Sequence, residues 1–89
     1  MRAVITVVGK DMVGILSKVS TMCAQNNVNV IEVSQSILQD MFCMIMLVDV
    51  SQNKLSFGEF VDSLSKQGEE LNLSVHVMHE DIFNSMHKI

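Results

Sequence analysis

The chain of 89 residues contains no proline, no tryptophan and no tyrosine, and it has only four phenylalanines and four glycines. It also lacks a linker or a low-complexity segment, so the length predicts one domain over residues 1–89. Eight methionines supply apolar volume that aromatic side chains would otherwise fill, and methionine also suits forgiving interfaces. A domain this small buries a modest core, so we expect a partner chain to share in its stability.

Clustered basic residues are absent as well. Six Lys and Arg stand against ten Asp and Glu, giving a net charge of -4, whereas nucleic acid and anionic membranes recruit basic patches. We therefore expect no direct contact with either. No apolar run is long enough to span a membrane, and the apolar start is too short for a signal peptide. Cys23 and Cys43 fall in apolar patterns, which predicts buried thiols in a reducing cytoplasm and no disulfide framework.

The spacing of apolar residues predicts four strands and two main helices. Strands are expected at residues 2–8, 28–38, 41–50 and 73–79, because these runs are rich in β-branched residues or alternate in polarity. Helices are expected from Val13 to about Asn26, ended by Asn26 and Asn27, and from a Ser56–Glu59 capping box onward. Near the end of the chain, Ile82, Phe83 and Met86 suggest a short helix whose apolar edge docks on the body.

The element order is strand, helix, strand, strand, helix, strand. With right-handed crossovers, two strand-helix-strand halves give the ferredoxin-like α+β arrangement. This is a four-stranded antiparallel sheet with both helices on one face. Strands 1 and 3 are apolar on both sides and are expected in the middle. Ile45, Leu47 and Val4 point away from the helices, so a second copy is expected to cover that face or a sheet edge. We expect a homo-oligomer, most simply a dimer.

A six-residue connection between the first strand and the first helix is the main candidate site. Backbone N–H groups in a first helical turn lack partners and face the positive end of the helix dipole, which suits a carboxylate or phosphate. Alternatively, Asp11 only caps the helix and Gly14 only lets it pack closely on the sheet. A phosphate loop is excluded, because Ile15 and Leu16 stand where Lys and Ser or Thr are required. The six candidate residues are Gly9, Lys10, Asp11, Met12, Val13 and Gly14.

The chain resembles the ACT-domain family over essentially its whole length, and within it the short stand-alone group. The segments that carry the resemblance are Ala3–Asp11, Val13–Leu16, Asn27–Ile31, Ile31–Ile37 and His79–Phe83. The last is the most diagnostic of the group. The resemblance implies the ferredoxin-like fold and a small regulatory module that binds an amino acid or a similar effector.

In the serine-binding members of that family, the ligand lies where the first loop of one protomer meets the second strand of a neighbour. By position, the resemblance implies contacts from Asp11, from the backbone between Met12 and Gly14, and from Asn29. Asn29 matches the family pattern, although on its own it also suits a turn residue that satisfies its own backbone. Gly9 and Asp11 stand where side chains such as His and Asn make the loop contacts in those members.

Other polar residues permit two interpretations each. Gln35 shares the parity of Ile31, Val33 and Ile37, and it either lines a subunit interface with Ile37, Ile45 and Leu47 or reaches water at a sheet edge. Three histidines lie near the end of the chain at His76, His79 and His87. They are expected to be solvated or at an interface, because His76 and His79 point to opposite faces of a strand and no helical His pair exists. We expect no metal and no cofactor.

The leading functional hypothesis is a non-enzymatic regulatory module, a dimer or higher oligomer that binds an amino acid and acts on a partner protein not identified by the sequence. The alternative is a ligand-free interaction module in which dimerisation or partner docking is the whole function. A small enzyme is a third class, with little support because neither cysteine has a neighbouring base in sequence.

Overall fold

The computed structural model describes residues 1–86, which form four strands and three helices. The elements are β1 (Arg2–Lys10), α1 (Ile15–Gln25), β2 (Asn29–Leu38), β3 (Met41–Asp49), α2 (Phe57–Glu70), β4 (Leu73–His79) and α3 (Glu80–Met86). The strands form one antiparallel sheet in the order β2-β3-β1-β4. The predicted ferredoxin-like fold is confirmed, and the two strands expected in the middle are the central ones.

The core lies between the sheet and the helices α1 and α2. Alternate residues of the central strands are almost completely buried there, because strand side chains alternate between the two faces. From β1 and β3 these are Ala3, Ile5, Val7, Phe42, Met44, Met46 and Val48. Val19 and Cys23 of α1 and Phe60 and Leu64 of α2 pack against them. We call this side of the sheet the helix face and the other side the open face.

Helix α1 begins at Ile15, two residues later than predicted, and Asp11 does not cap it. The residue at the N-cap is Gly14, with φ 85°, and no side chain accepts a hydrogen bond from the first turn. The end of the helix follows the prediction. Asn27 adopts a left-handed conformation with φ 59°, as asparagine does when it replaces glycine after a helix.

Helix α2 begins with the predicted capping box. The Glu59 amide donates to Ser56 Oγ at 3.2 Å, and the Ser56 amide donates to Glu59 Oε1 at 3.3 Å. The Ser56 side chain, and then its backbone amide, lower the pKa of the Glu59 carboxyl by hydrogen bonding to it. Farther along the helix, Ser65 Oγ donates to the main-chain oxygen of Val75 at 3.2 Å and so fastens α2 to the middle of β4.

Gly68 lets the last turns of α2 approach β4. A Cβ atom at this position would lie 2.5 Å from Val75 Cγ2 and 3.3 Å from the main-chain oxygen of Leu73. Gly68 therefore permits close packing of the helix on the strand.

We expect Gly68→Ala to destabilise the fold by about 1–2 kcal/mol, because overpacking against a stiff β-branched side chain outweighs the better helix propensity of alanine. Gly58→Ala is the matched control in the same helix, since a Cβ there meets nothing within 4 Å, and it should stabilise by roughly 0.5–1 kcal/mol. Urea denaturation of both variants measures the two effects. Equal stabilisation by both alanines would contradict the packing role of Gly68.

Helix α3 contacts β1 and β4, but its apolar side chains are mostly not docked. Ile82 is 53% exposed and Met86 65% exposed, while Phe83 is half-buried. Arg2 holds the start of this helix through a bidentate contact with Glu80, at 2.7 Å and 3.1 Å. The predicted short helix is present, and the expectation that its whole apolar edge docks is wrong. Among residues 1–86, no helix combines the length and the apolar character needed to cross a bilayer.

Candidate functional site

Gly9 and Lys10 belong to β1 and not to the connection that follows it. Gly9 pairs with Phe42 on one side and Leu73 on the other, and Lys10 pairs with Met41. A Cβ at Gly9 would lie 2.6 Å from Leu73 Cδ2 and 3.2 Å from the main-chain oxygen of Asn72. Glycine is needed here for close packing of two strands. The predicted connection therefore starts at Asp11, two residues later than expected.

The connection itself runs from Asp11 to Gly14. Met12 is half-buried against the core, whereas Val13 is 96% exposed at the tip. The Asp11 amide donates to the main-chain oxygen of Asp40 at 2.8 Å. Since Asp40 lies in the two-residue turn between β2 and β3, this bond ties the connection to that turn.

The start of α1 is open to a ligand. Gly14 adopts its left-handed conformation without a neighbour, since a Cβ there would meet nothing within 4 Å. No side chain caps the first-turn amides, and unpartnered amides at a helix start attract anions. The Asp11 side chain is exposed beside this start. The arrangement could hold a carboxylate on the amides and an ammonium group on Asp11.

Asn29 is not near this connection within one chain. Asn29 pairs with Asp49 at one end of the sheet, whereas Leu38 and Met41 lie beside Lys10 at the other. The ten residues of β2 separate the two ends by about 30 Å. A ligand of amino-acid size cannot touch both in a single chain.

Strand β2 is a bare edge of the sheet. All of its residues except the half-buried Val30 are exposed. Val33, Gln35 and Ile37 point to the helix face, since they pair with buried residues of β3. The bulge between Val30 and Glu32 removes Ile31 from this alternation, so the predicted four-residue parity set holds for only three members.

The four predicted interface residues lie on two different surfaces. Gln35 and Ile37 are on the helix face of β2, and Ile37 is 57% exposed. Ile45 and Leu47 are on the open face of β3, where Ile45 is 45% exposed and Leu47 is half-buried. One contact surface cannot contain all four side chains.

The two histidines of β4 lie on opposite faces of the sheet, as the alternation of strand side chains predicts. His76 is exposed on the open face and lies 3.1 Å from Ser74 Oγ. His79 is half-buried on the helix face and stacks on Phe57, with ring centroids 4.1 Å apart. His87 lies outside the described residues. Within residues 1–86, no group of three or more His, Cys, Asp or Glu side chains is placed to hold a metal ion.

The two thiols differ in their surroundings. Cys23 is completely buried, and burial raises its pKa to about 11, so this thiol is protonated at neutral pH and a poor nucleophile. Cys43 is half-buried on the open face. Both thiols are free, and the prediction of a buried thiol holds for Cys23 but is wrong for Cys43.

Three grooves on the surface of residues 1–86 were compared with the predicted site, and none of them contains a residue of the Gly9–Gly14 segment or Asn29. The groove between α1 and α2 has a volume of about 320 Å³ and is lined by residues that include Lys18, Gln25, Gln67 and Glu70. Sequence reasoning missed it, because these residues look like ordinary solvated helix positions. The available signal was the four-residue spacing of Ser17, Thr21 and Gln25, which puts three polar side chains on one stripe of α1.

Comparison with known proteins agrees with the fold. The profile of the ACT domain family matches residues 2–78. A UPF0237 protein of Listeria innocua is 47% identical over 89 residues, which cover 100% of both chains.

Two solved structures are similar to this chain. An ACT domain protein from Streptococcus pneumoniae has a TM-score of 0.82 and 35% identity, with 93% of each chain covered. The second is titled a putative glycine cleavage system transcriptional repressor. It has a TM-score of 0.71 and 26% identity, and the match covers 85% of this chain and 43% of that one.

Proposed function

Because the chain belongs to the ACT-domain family and resembles its small stand-alone members, we propose that it is a dimeric regulatory module that binds an amino acid between two protomers. ACT domains are regulatory modules that bind small molecules. The observation that carries the proposal is the separation of the two halves of the site. The helix start at Gly14 and the side chain of Asn29 lie at opposite ends of the sheet, so they can meet only between chains.

Pairing through β2 provides such a meeting. If the β2 strands of two copies pair antiparallel and in full register, Asn29 of one copy lies opposite Leu38 of the other. Leu38 is in the same row as Met41 and Lys10, the row at which β1 ends. Asn29 of the second copy therefore arrives at the end of the sheet from which the connection to α1 leaves.

The exposed side chains of β2 favour this pairing. Ile31, Val33, Ile37 and Leu38 are 42%, 39%, 57% and 73% exposed. An unprotected edge with so many apolar side chains is a template for a further strand. A second copy supplies that strand and covers the apolar side chains.

The chemistry of the composite site suits an amino acid. The first-turn amides of α1 take the carboxylate, the exposed Asp11 carboxylate takes the ammonium group, and the amide of Asn29 from the second copy closes the site. A ligand held by both chains stabilises one dimer geometry by mass action. We propose that a partner protein recognises this geometry, and we propose no catalytic role.

The open face supports a second contact. Ile45 and Leu47 cannot join the β2 contact, so we propose that they meet another dimer or the partner protein. We further propose that residues 1–89 act as one domain in the cytoplasm. The bare β2 edge equally favours an interaction module without a ligand, and the experiment below separates the two functions.

Thermal denaturation with each of the twenty amino acids tests the proposal. A ligand at ten times its Kd stabilises by about 1.4 kcal/mol, which raises Tm by roughly 6–10 °C in a domain of this size. Asp11→Asn and Asn29→Ala should each abolish the part of the rise that comes from this composite site. Asp62→Asn and Gln52→Ala are the matched controls, since both are exposed and lie outside the proposed site. A stable dimer whose Tm responds to no amino acid would leave only the ligand-free module.

Mixing the two variants tests whether the site is shared between chains. A heterodimer of Asp11→Asn and Asn29→Ala chains has one site with both changes and one site with neither. In an equimolar mixture, about a quarter of the sites should recover, because half of the dimers are heterodimers. A mixture that stays as inactive as its components would contradict a site built from two chains.

A further inference from the structure

The groove between α1 and α2 brings together side chains that have no partner among residues 1–86. Lys18 and Gln25 extend from α1, and Glu70 extends from the last turn of α2. The two salt bridges among residues 1–86 join other groups, and none of the described side-chain hydrogen bonds uses these three residues. An ammonium group, a carboxylate and an amide therefore line one groove, and their hydrogen-bond donors and acceptors are available to a ligand.

The remaining lining adds an apolar floor and more polar groups. Met22 and Leu71 are apolar, and Met22 is 7% exposed. Gln67 donates through Nε2 to Ser63 at 3.0 Å, which leaves its carbonyl oxygen as an acceptor. The volume of about 320 Å³ is at the lower limit of common small-molecule sites.

We propose that this groove is a second small-molecule site, selective for a zwitterion that carries a carboxylate and an ammonium group close together. Lys18 binds the carboxylate, Glu70 binds the ammonium group, and the carboxamides of Gln25 and Gln67 complete the polar contacts. The apolar floor accepts a short aliphatic side chain. A single protomer contains every one of these groups, so binding here does not require the β2 contact.

The site is independent of the proposed effector site at the sheet edge. Both recognise charged ends of a small molecule, but they share no residue. Occupancy of the groove would link α1 to α2 at the surface of the helix layer. Occupancy of the edge site would instead link two chains.

Charge exchange tests the proposal without removing a packed side chain, since Lys18 and Glu70 are both exposed. The probe is the set of twenty amino acids, titrated into ¹⁵N-labelled protein and followed by NMR. We expect saturable shifts at the Gln25 and Gln67 side-chain amides and along residues 17–25. Lys18→Glu and Glu70→Lys should each weaken binding at least roughly tenfold, because each loses a charge-assisted hydrogen bond. The double variant should recover affinity, because the ligand can bind in the reverse orientation.

Lys66→Glu is the matched control, an exposed lysine on α2 that does not line the groove, and it should bind as the natural protein does. Shifts confined to residues 9–14 and 29–38 would overturn the second site and support only the edge site. The second site would also be overturned if no amino acid shifts the groove, or if the double variant is no better than the single ones. Asp11→Asn should leave binding in the groove unchanged, so the two proposals can fail separately.

Discussion

The double substitution Val33→Lys/Ile37→Lys is expected to dissociate the proposed dimer, raising its Kd roughly 100-fold or more. Both side chains project from the helix face of β2 and are 39% and 57% exposed. Pairing of two β2 strands would cover four of these side chains per dimer. The loss of apolar burial alone amounts to about 3 kcal/mol or more, and four ammonium groups at one contact add repulsion.

Sedimentation velocity over a range of protein concentrations measures this effect. The matched control is Ile82→Lys/Met86→Lys, which changes two equally exposed apolar side chains on α3 and should leave association unchanged. Both variants should keep the circular dichroism of the natural protein, since neither touches the core. If Ile45→Lys separates the chains and the β2 variant does not, the contact lies on the open face and the shared ligand site is excluded.

Phe60→Ala is expected to be the most destabilising single substitution, costing about 3–5 kcal/mol. Phe60 is completely buried and lies in the core, against the sheet. Truncation removes its apolar contacts and leaves a cavity under α2, which the rigid sheet cannot fill. A small domain has only about 5–15 kcal/mol of stability in total, so this loss threatens folding at physiological temperature.

Urea denaturation at one fixed protomer concentration measures the loss, because association contributes to the stability of an oligomer. Phe57→Ala is the natural comparison in the same helix. Phe57 is half-buried and stacks on His79, so its truncation should cost clearly less. A Phe60→Ala protein within about 1 kcal/mol of the natural one would show that the core relaxes around the gap.

The fold could be predicted from the sequence because its signals are local and strong. The Ser56–Glu59 capping box starts α2 as expected, and Asn27 ends α1 in the left-handed conformation. The two central strands were recognisable because apolar residues on both faces require cover on both sides. These signals depend on neighbours within a few residues, which a sequence displays directly.

The wrong predictions concern residues whose conformation or contacts depend on parts of the chain that are distant in sequence. Gly9 resembles a turn glycine, but the close approach of Leu73, sixty-four positions later, is what requires it. The bulge at Ile31 changes which side chains share a face, and the residues around it carry no sequence signal for a bulge. Asp11 is a favourable cap by type, yet its amide bonds to the Asp40 turn and Gly14 occupies the cap position.

The candidate site was predictable only in part. The chain order shows that a loop precedes α1, but the distance from Gly14 to Asn29 depends on strand direction in the finished sheet. That direction places them at opposite ends, so the site that we propose would need a second chain. The groove between α1 and α2 was missed because the polar stripe of Ser17, Thr21 and Gln25 has the same spacing as an ordinary solvated helix face.

The bond from Ser65 Oγ to the Val75 oxygen bears on how many chains can join. A sheet has two edge strands. If both were available for pairing, each chain could pair with two others, and the chains would assemble into a filament. Here the helix layer occupies a main-chain acceptor in the middle of β4, while β2 keeps its acceptors bare. If two copies pair through β2 as we propose, this bond leaves β4 less available to a third copy. The hydroxyl of Ser65 would then limit association through β4, and its loss would favour polymers over a closed dimer.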